Sequence, residues 1–203
     1  MSHDVERFNR WAPRYDRHYL QRLVFEPVQR TILDLAASEV PDPAAILDVG
    51  CGTGRLLMAA EQRFTNARLD GVDAAVEMIK HAQAVMPAES RINFRQATAA
   101  DLPFPDAQFD LVFSTMTFHH WSDQAQGIAE VARVLKPGGR WLLAEFIATG
   151  PMRWVFVVTR PKRFHERRQI ASMLAPAGLA VAEHKAVRGL GGQVSVLAIG
   201  RLN

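Results

Sequence analysis

Between Asp48 and Gly54 the chain reads Asp-Val-Gly-Cys-Gly-Thr-Gly. Gly50, Gly52 and Gly54 recur at every second position, after a short apolar run and before a helix-like pattern. Glycine has no Cβ, so such a loop lets the backbone approach a ligand closely. The spacing departs from the G-x-G-x-x-G that sets a pyrophosphate on a helix N-terminus. Asp48 precedes the loop on a strand, where a carboxylate is poorly placed for a diphosphate and suits a ligand bearing an ammonium group. The next apolar run ends in Val72-Asp73, roughly 20 residues on, where an acid takes both ribose hydroxyls. Cys51, inside the loop, reads as a small buried residue rather than a nucleophile.

An adenosyl ligand with an amino-acid tail and no phosphate satisfies both acids, and S-adenosylmethionine is such a ligand. Methyl transfer from a sulfonium is an in-line displacement with a neutral leaving group, so alignment supplies much of the catalysis, on the order of 7–11 kcal/mol. A base is needed where the acceptor is a hydroxyl or an acidic carbon. His119 and His120 are candidates, because an imidazole with a pKa near 6.5 suits proton removal at neutral pH. The competing reading is that one packs under its loop while the other caps the helix that follows. Trp121 reads as a packing residue or as part of an acceptor pocket. The other histidines, His3, His18, His81, His165 and His184, have no metal-like spacing, and no metal is expected.

The elements that must position these groups follow from periodicity. Asp4 to Ser38 reads as two helices: Trp11, Tyr15 and Tyr19 share a face, Pro13 marks a break or start, and Phe25–Ala37 forms the second helix. From Ala44 strands alternate with helices. Strands are expected at Ala45–Val49, Ala67–Val72, Arg91–Arg95, Phe109–Ser114 and Arg140–Phe146, the last entered through a Lys136-Pro137-Gly138-Gly139 turn. Helices are expected at Arg55–Phe64, Ala75–Val85 and Gln124–Leu135. Asp106 and Asp110 read as parts of the turn before the fourth strand. A helix over Glu166–Ala175 precedes two strand-like runs, Leu179–Val187 and Val194–Gly200, too close together for a crossover helix and therefore antiparallel. The expected fold is α/β, Rossmann-like and doubly wound, with a mostly parallel seven-stranded sheet, a C-terminal antiparallel pair and an N-terminal helical cap. One domain spans 1–203: cap 1–40, cofactor-binding core 44–146, acceptor-side insertion 147–165, and C-terminal helix and strand pair 166–203.

The stretches ILDVGCGTG, GVDAAVEMI, ATAADLPFPDAQFDLVFS, TFHHW and EVARVLKPGGRWLLAE, from Ile46 to Glu145, together with FNRWAPRYD near the N-terminus, resemble class I S-adenosylmethionine-dependent methyltransferases. The resemblance is to the broad group that includes the ubiquinone/menaquinone-biosynthesis methyltransferases. It implies that Asp48 and the Gly50–Gly54 loop, Cys51 included, face the methionine part of the cofactor and that Asp73 binds the ribose. It puts Ala74 and Met78 near the adenine, and Ser114 and Thr115 near the methionine part and the reacting methyl. Where the family usually shows Gly-Asp-Ala, this chain has Ala97-Thr98-Ala99. Thr98 offers the adenine amino group a neutral hydrogen bond in place of a charge-assisted one, and Asp101 is a possible substitute. The resemblance also brings Tyr15 to the cofactor as a third catalytic candidate, against core packing with Trp11.

Composition narrows the setting. No apolar run approaches the ~20 residues of a membrane span, the N-terminus is too polar for a secretory signal, and the single cysteine fits a reducing cytoplasm. A net charge of +3 is too mild to indicate nucleic acid, and the fourth strand is not followed by an Asn-Pro-Pro-Tyr-like motif. Two basic stretches stand out: 7–17, with Arg7, Arg10, Arg14 and Arg17, and 153–168. They suit a solvated face, an anionic amphiphile or an anionic membrane surface. The leading expectation is O- or C-methylation of a small molecule, aromatic or quinone-like. The alternatives are a phospholipid N-methyltransferase at the membrane surface, a non-catalytic S-adenosylmethionine-binding protein and, against the glycine spacing, a dehydrogenase. The oligomeric state stays open.

Overall fold

Ala45–Val49 (β1) is apolar at four of five positions, and every residue in it is buried, as a central strand flanked on both edges must be. In the computed structural model, which describes residues 3–15, 25–147, 166–187 and 194–202, β1 pairs in parallel with Arg68–Asp73 (β2) on one side and Phe109–Thr115 (β4) on the other. Ile92–Gln96 (β3) extends the sheet beyond β2, and Leu135–Phe146 (β5) beyond β4. Leu179–Ala186 (β6) and Val194–Arg201 (β7) are antiparallel, with β7 inserted between β5 and β6. The order is β3-β2-β1-β4-β5-β7-β6. The chain winds outward from β1 to β3 and then returns to β4, so the topological switch lies between β1 and β4. A crevice opens there at the carboxyl ends of the strands.

Six helices complete the described fold: His3–Tyr15 (α1), Glu26–Glu39 (α2), Arg55–Arg63 (α3), Val76–Val85 (α4), Gln124–Val134 (α5) and Arg167–Leu174 (α6). One sheet face is filled by Ile32, Leu35, Leu57, Leu69 and Phe113 among others. The opposite face buries Leu47, Val112, Phe118, Trp141 and Leu174. α1 adds a small third cluster, in which Ala12, Val5 and Phe8 pack on Ala75 and Met78 at the start of α4. None of the described helices is long and apolar enough to cross a membrane.

Three local expectations are corrected. Lys136–Gly139 is not a separate turn, because Leu135 already pairs with Phe109 and Arg140 with Leu111, making the Pro-Gly-Gly stretch an irregularity within β5. Asp110 belongs to β4, where its carboxylate accepts from the Ala44 and Ala45 amides and from Lys136 Nζ at 2.9–3.0 Å. Pro13 does not stop α1, which runs two residues further to Tyr15. Tyr19, Arg17, the expected insertion up to residue 165 and the Arg188–Gly192 link lie outside the described residues, as do the side chains of Trp11, Arg14 and Tyr15.

The turn from β1 into α3 is set by backbone conformation. Gly50, Gly52 and Gly54 all have positive φ, and a Cβ on Gly54 would lie 2.5 Å from the Phe94 ring. Gly138 has nearly the same φ, +80° against +81°, but open space around it. Gly54→Ala should therefore cost about 2–4 kcal/mol of stability, and Gly138→Ala only about 1–2, the left-handed penalty alone. Urea unfolding of the two variants checks this; equal losses would mean that Phe94 gives way at no cost.

Candidate functional site

The crevice at the switch point is a cleft of about 400 Å³, within the range of small-molecule sites. One wall is the glycine loop, with Val49, Gly50 and Gly52. The floor carries Asp73, Ala74, Ala75 and Met78. The far end is formed by Ala97, Thr98 and Ala99, and the opposite wall by Thr115, Met116, Thr117, His120 and Trp121. α1 closes over it with Asp4, Val5 and Phe8.

Asp73 ties the first wall to the floor. Its Oδ2 accepts from the Gly52 amide at 2.9 Å and its Oδ1 from the Ala75 amide at 2.8 Å. Each carboxylate oxygen has a second lone pair, leaving two acceptor positions on a residue that lines the cleft. Burial raises the Asp73 carboxyl above its ordinary value, against the pull of these two amides. Gly52 has φ +54°, and a Cβ there would meet no protein atom within 4 Å. Gly50, by contrast, is backed by the Thr117 side chain, which fixes the separation of the two walls.

Asp48 lies beneath the loop, 2% exposed, and its Oδ1 is buried without a hydrogen-bond partner. Burial, with Asp73 adding repulsion, pushes its carboxyl up to about 8. Thr115 Oγ1, on the cleft wall, is likewise buried and unpartnered. Met116, which follows it, is a non-glycine residue at φ +56°, strain of a kind that concentrates at ligand sites. Two orphaned oxygens and a cradle of open backbone leave donors to be supplied by a ligand.

Several expected residues lie elsewhere. Ser114 is fully buried and accepts from the Trp141 indole N–H at 3.2 Å, so it faces the core and not the cleft. Strand alternation explains this, since Thr115 is its neighbour on the opposite face. Cys51 packs in the core beside Gly71, and burial raises its thiol well above the usual value. Gly54 caps α3 against Phe94. Asp101 is exposed, takes part in a bridge with Thr98 and is not itself a lining residue. Tyr15 ends α1, but its side chain lies outside the description.

The two histidines separate. His119 turns away from the cleft lining: its Nδ1 is 2.8 Å from Glu145 Oε1, its amide donates to Glu145 Oε2 at 3.2 Å, and Glu145 is 1% exposed. His120 lines the cleft, with Nδ1 3.1 Å from Asp4 Oδ2 and its ring edge-on to Phe8, centroids 5.0 Å apart. Burial, then the neighbouring His119, lowers its pKa to about 4, with Asp4 opposing. Trp121 stacks on Trp141 at 5.9 Å, the packing role expected of it, and also lines the cleft. Asp4 and Glu145 carried no signal in the sequence; each is one acid among many until the fold sets it beside an imidazole.

Asp48 generates a pH prediction. Its folded pKa is raised far above the unfolded value, so the stability it contributes is full below pH ~4 and is lost as pH rises toward 8. Asp48→Asn, neutral at every pH, should flatten much of that decline and stabilise the ligand-free protein at pH 8 by several kcal/mol, on the order of 4. Thermal melts of both proteins from pH 5 to 8 check the sign; parallel curves would place the carboxyl's ionisation elsewhere.

Residues 47–143 match the family model described as a methyltransferase domain. The chain is 38% identical over 144 residues to a demethylmenaquinone methyltransferase of Deinococcus radiodurans, covering 70% of this chain and 59% of that protein. It is 38% identical over 146 residues to the Thermus thermophilus protein of the same name, covering 68% and 64%. The chain thus spans roughly three fifths of the length of these relatives. Among solved structures, the Haloferax volcanii protein determined in complex with the Trm112 methyltransferase activator superimposes with a TM-score of 0.75 at 21% identity, over 96% of both chains, which is a likeness of fold. Residues 47–143 are thus similar to the methyltransferase domain family, and the chain is built on the Rossmann-like fold of class I S-adenosylmethionine-dependent methyltransferases.

Proposed function

We propose that this protein transfers the methyl group of S-adenosylmethionine to an oxygen or carbon nucleophile of a small, aromatic or quinone-like acceptor in the cytoplasm. The observation that carries the reading is the tethered carboxylate of Asp73. With one lone pair on each oxygen used by the Gly52 and Ala75 amides, the remaining pair of acceptors matches two adjacent ribose hydroxyls. The buried Asp48 and the partly buried Asp73 together make a diphosphate unwelcome at this loop, which disfavours a dinucleotide and hence a dehydrogenase.

The residues divide the cofactor among them. Ala74, Met78, Ala97, Thr98 and Ala99 offer a narrow, mostly apolar slot for the adenine, with Thr98 as its neutral polar partner. Gly50, Gly52 and Thr115 border the methionine part, and the ammonium group favours the ionised form of Asp48 below them. When bound, the sulfonium supplies a methyl carbon to the acceptor's electron pair, and the C–S bonding pair stays on sulfur as a neutral thioether. His120, Trp121, Val5 and Phe8 line the space left for the acceptor, an apolar and aromatic setting with one imidazole in it. This assigns the base to His120. His119, held by Glu145, supports the loop that carries it.

Of the first basic stretch, Arg10 is exposed and Arg7 is taken up by contacts within the fold. Arg7 pairs with Asp4 at 3.4 Å and lies over the Phe8 ring, so the first member of the stripe is part of the cap. Arg14, Arg17 and most of 153–168 lie outside the described side chains.

Two measurements test the reading. Methyl-labelled S-adenosylmethionine, incubated with the protein and a whole-cell extract, should place label in non-lipid small molecules; label in phospholipid would move the assignment to the membrane-surface reading, and none at all to a binding protein. Asp73→Asn should weaken S-adenosylhomocysteine binding by about 1.5–3 kcal/mol in calorimetry, through loss of a charge-assisted bond. Unchanged affinity in a folded variant would place the ribose elsewhere.

A further inference from the structure

We infer that Asp4, at the start of the covering helix, is a positioning residue for the reaction: its carboxylate fixes the tautomer of His120 and leaves Nε2 as the proton acceptor at the acceptor end of the cleft. The inference rests on the methyl-transfer reading above and deepens it.

The geometry comes from three contacts. Asp4 is 9% exposed and its Oδ2 lies 3.1 Å from His120 Nδ1. Arg7, one turn along the same helix, holds the other carboxylate oxygen at 3.4 Å. Phe8, beside Arg7 on that same turn, meets the imidazole edge-on. A carboxylate can only accept, so the ring proton sits on Nδ1 and the lone pair on Nε2. Among the described residues no hydrogen bond occupies Nε2, and His120 lines the cleft. An imidazole without this partner favours no such arrangement; the atom bonded to one ring nitrogen decides the role of the other.

Among the described residues, Arg7 and His119 also face His120. Both oppose a positive charge on His120, as burial does, while Asp4 favours it. The ring therefore stays neutral through the physiological range. On taking the acceptor's hydroxyl proton it becomes an imidazolium whose second N–H points at a carboxylate. The oxygen's electron pair is then free for the methyl carbon, and the proton later returns to solvent.

The position of Asp4 has a mechanistic consequence. The floor and walls of the cleft come from the sheet, but this carboxylate comes from α1, which also packs Val5, Phe8 and Ala12 on Ala75 and Met78 and caps α4 through Asn9 Oδ1, which accepts from the Glu77 amide at 3.0 Å. The base is oriented only when the helix is docked, so covering the cleft and readying His120 are one event. A helix acting as a cover alone needs apolar residues at its contact face and no buried acid.

The test uses the full chain with histidine ring nitrogens labelled, and a panel of a phenol, a catechol and a hydroquinone as acceptors with S-adenosylmethionine. In the wild type, His120 should show the Nδ1–H tautomer, and Asp4→Ala should shift it toward Nε2–H. Turnover by Asp4→Ala should fall roughly tenfold or more with KM for S-adenosylmethionine changed less than twofold. An Nε2–H tautomer in the wild type overturns the inference without any variant. Unchanged turnover, or a loss matched by a rise in KM, also overturns it, because Asp4 would then serve only to close the helix. Calorimetry of wild-type protein with S-adenosylhomocysteine is read separately: absence of binding there removes the methyl-transfer reading, while the tautomer still judges the pair.

Discussion

The carboxylate of Asp73 is the knot of this structure. It stands at the end of β2, yet its two oxygens take the amide of Gly52 in the loop after β1 and the amide of Ala75 ahead of α4. Three segments from two βαβ units are thereby held at one point. The left-handed glycines make the first of these bonds geometrically open, and Thr117 and Phe94 fill the space that side chains on Gly50 and Gly54 would have needed. The cleft has its width because these atoms touch.

Such a site is held against its own electrostatics. Asp48 is buried and Asp73 partly so, both are lifted above ordinary carboxylate behaviour, and Asp73 disfavours the charge on Asp48. Asp48 Oδ1 and Thr115 Oγ1 have no partner, and Met116 sits in a conformation that costs a β-unbranched side chain about 1–2 kcal/mol. The rest of the fold has to offset these terms, with a continuous apolar core on each face of the sheet. Unsatisfied polar atoms of this kind are unfavourable in the free protein, and under the proposed reading a cationic, hydrogen-bonding ligand would complement them.

The loop after β4 shows how one short sequence serves two ends. Phe118 is fully buried, Trp121 stacks on Trp141, and His119 is clamped by Glu145. These three anchor the loop and leave His120 as the imidazole turned to the cleft. α1 meets it from the other side, so an acid at the helix start and an imidazole 116 positions away in sequence share a hydrogen bond.

The sequence by itself determined the alternation of strands and helices, the glycine turn and the two acids around it, because these rest on local periodicity and on conformations that only glycine adopts cheaply. Asp48, Asp73, Gly52, Met78 and Thr98 could be placed from spacing and resemblance, since a strand, a tight turn and a helix leave little freedom over so short a span. The Pro-Gly-Gly stretch misled, because a turn signal and a bulge inside a continuous ladder look alike until Leu135 is seen to pair with Phe109. What only the tertiary structure decided is which neighbour faces the cleft: Thr115 and not Ser114, His120 and not His119. Adjacent residues differ there by which face of a strand or turn they occupy, and that depends on Trp141, Glu145 and Asp4, partners brought from distant parts of the chain by packing that no local pattern encodes.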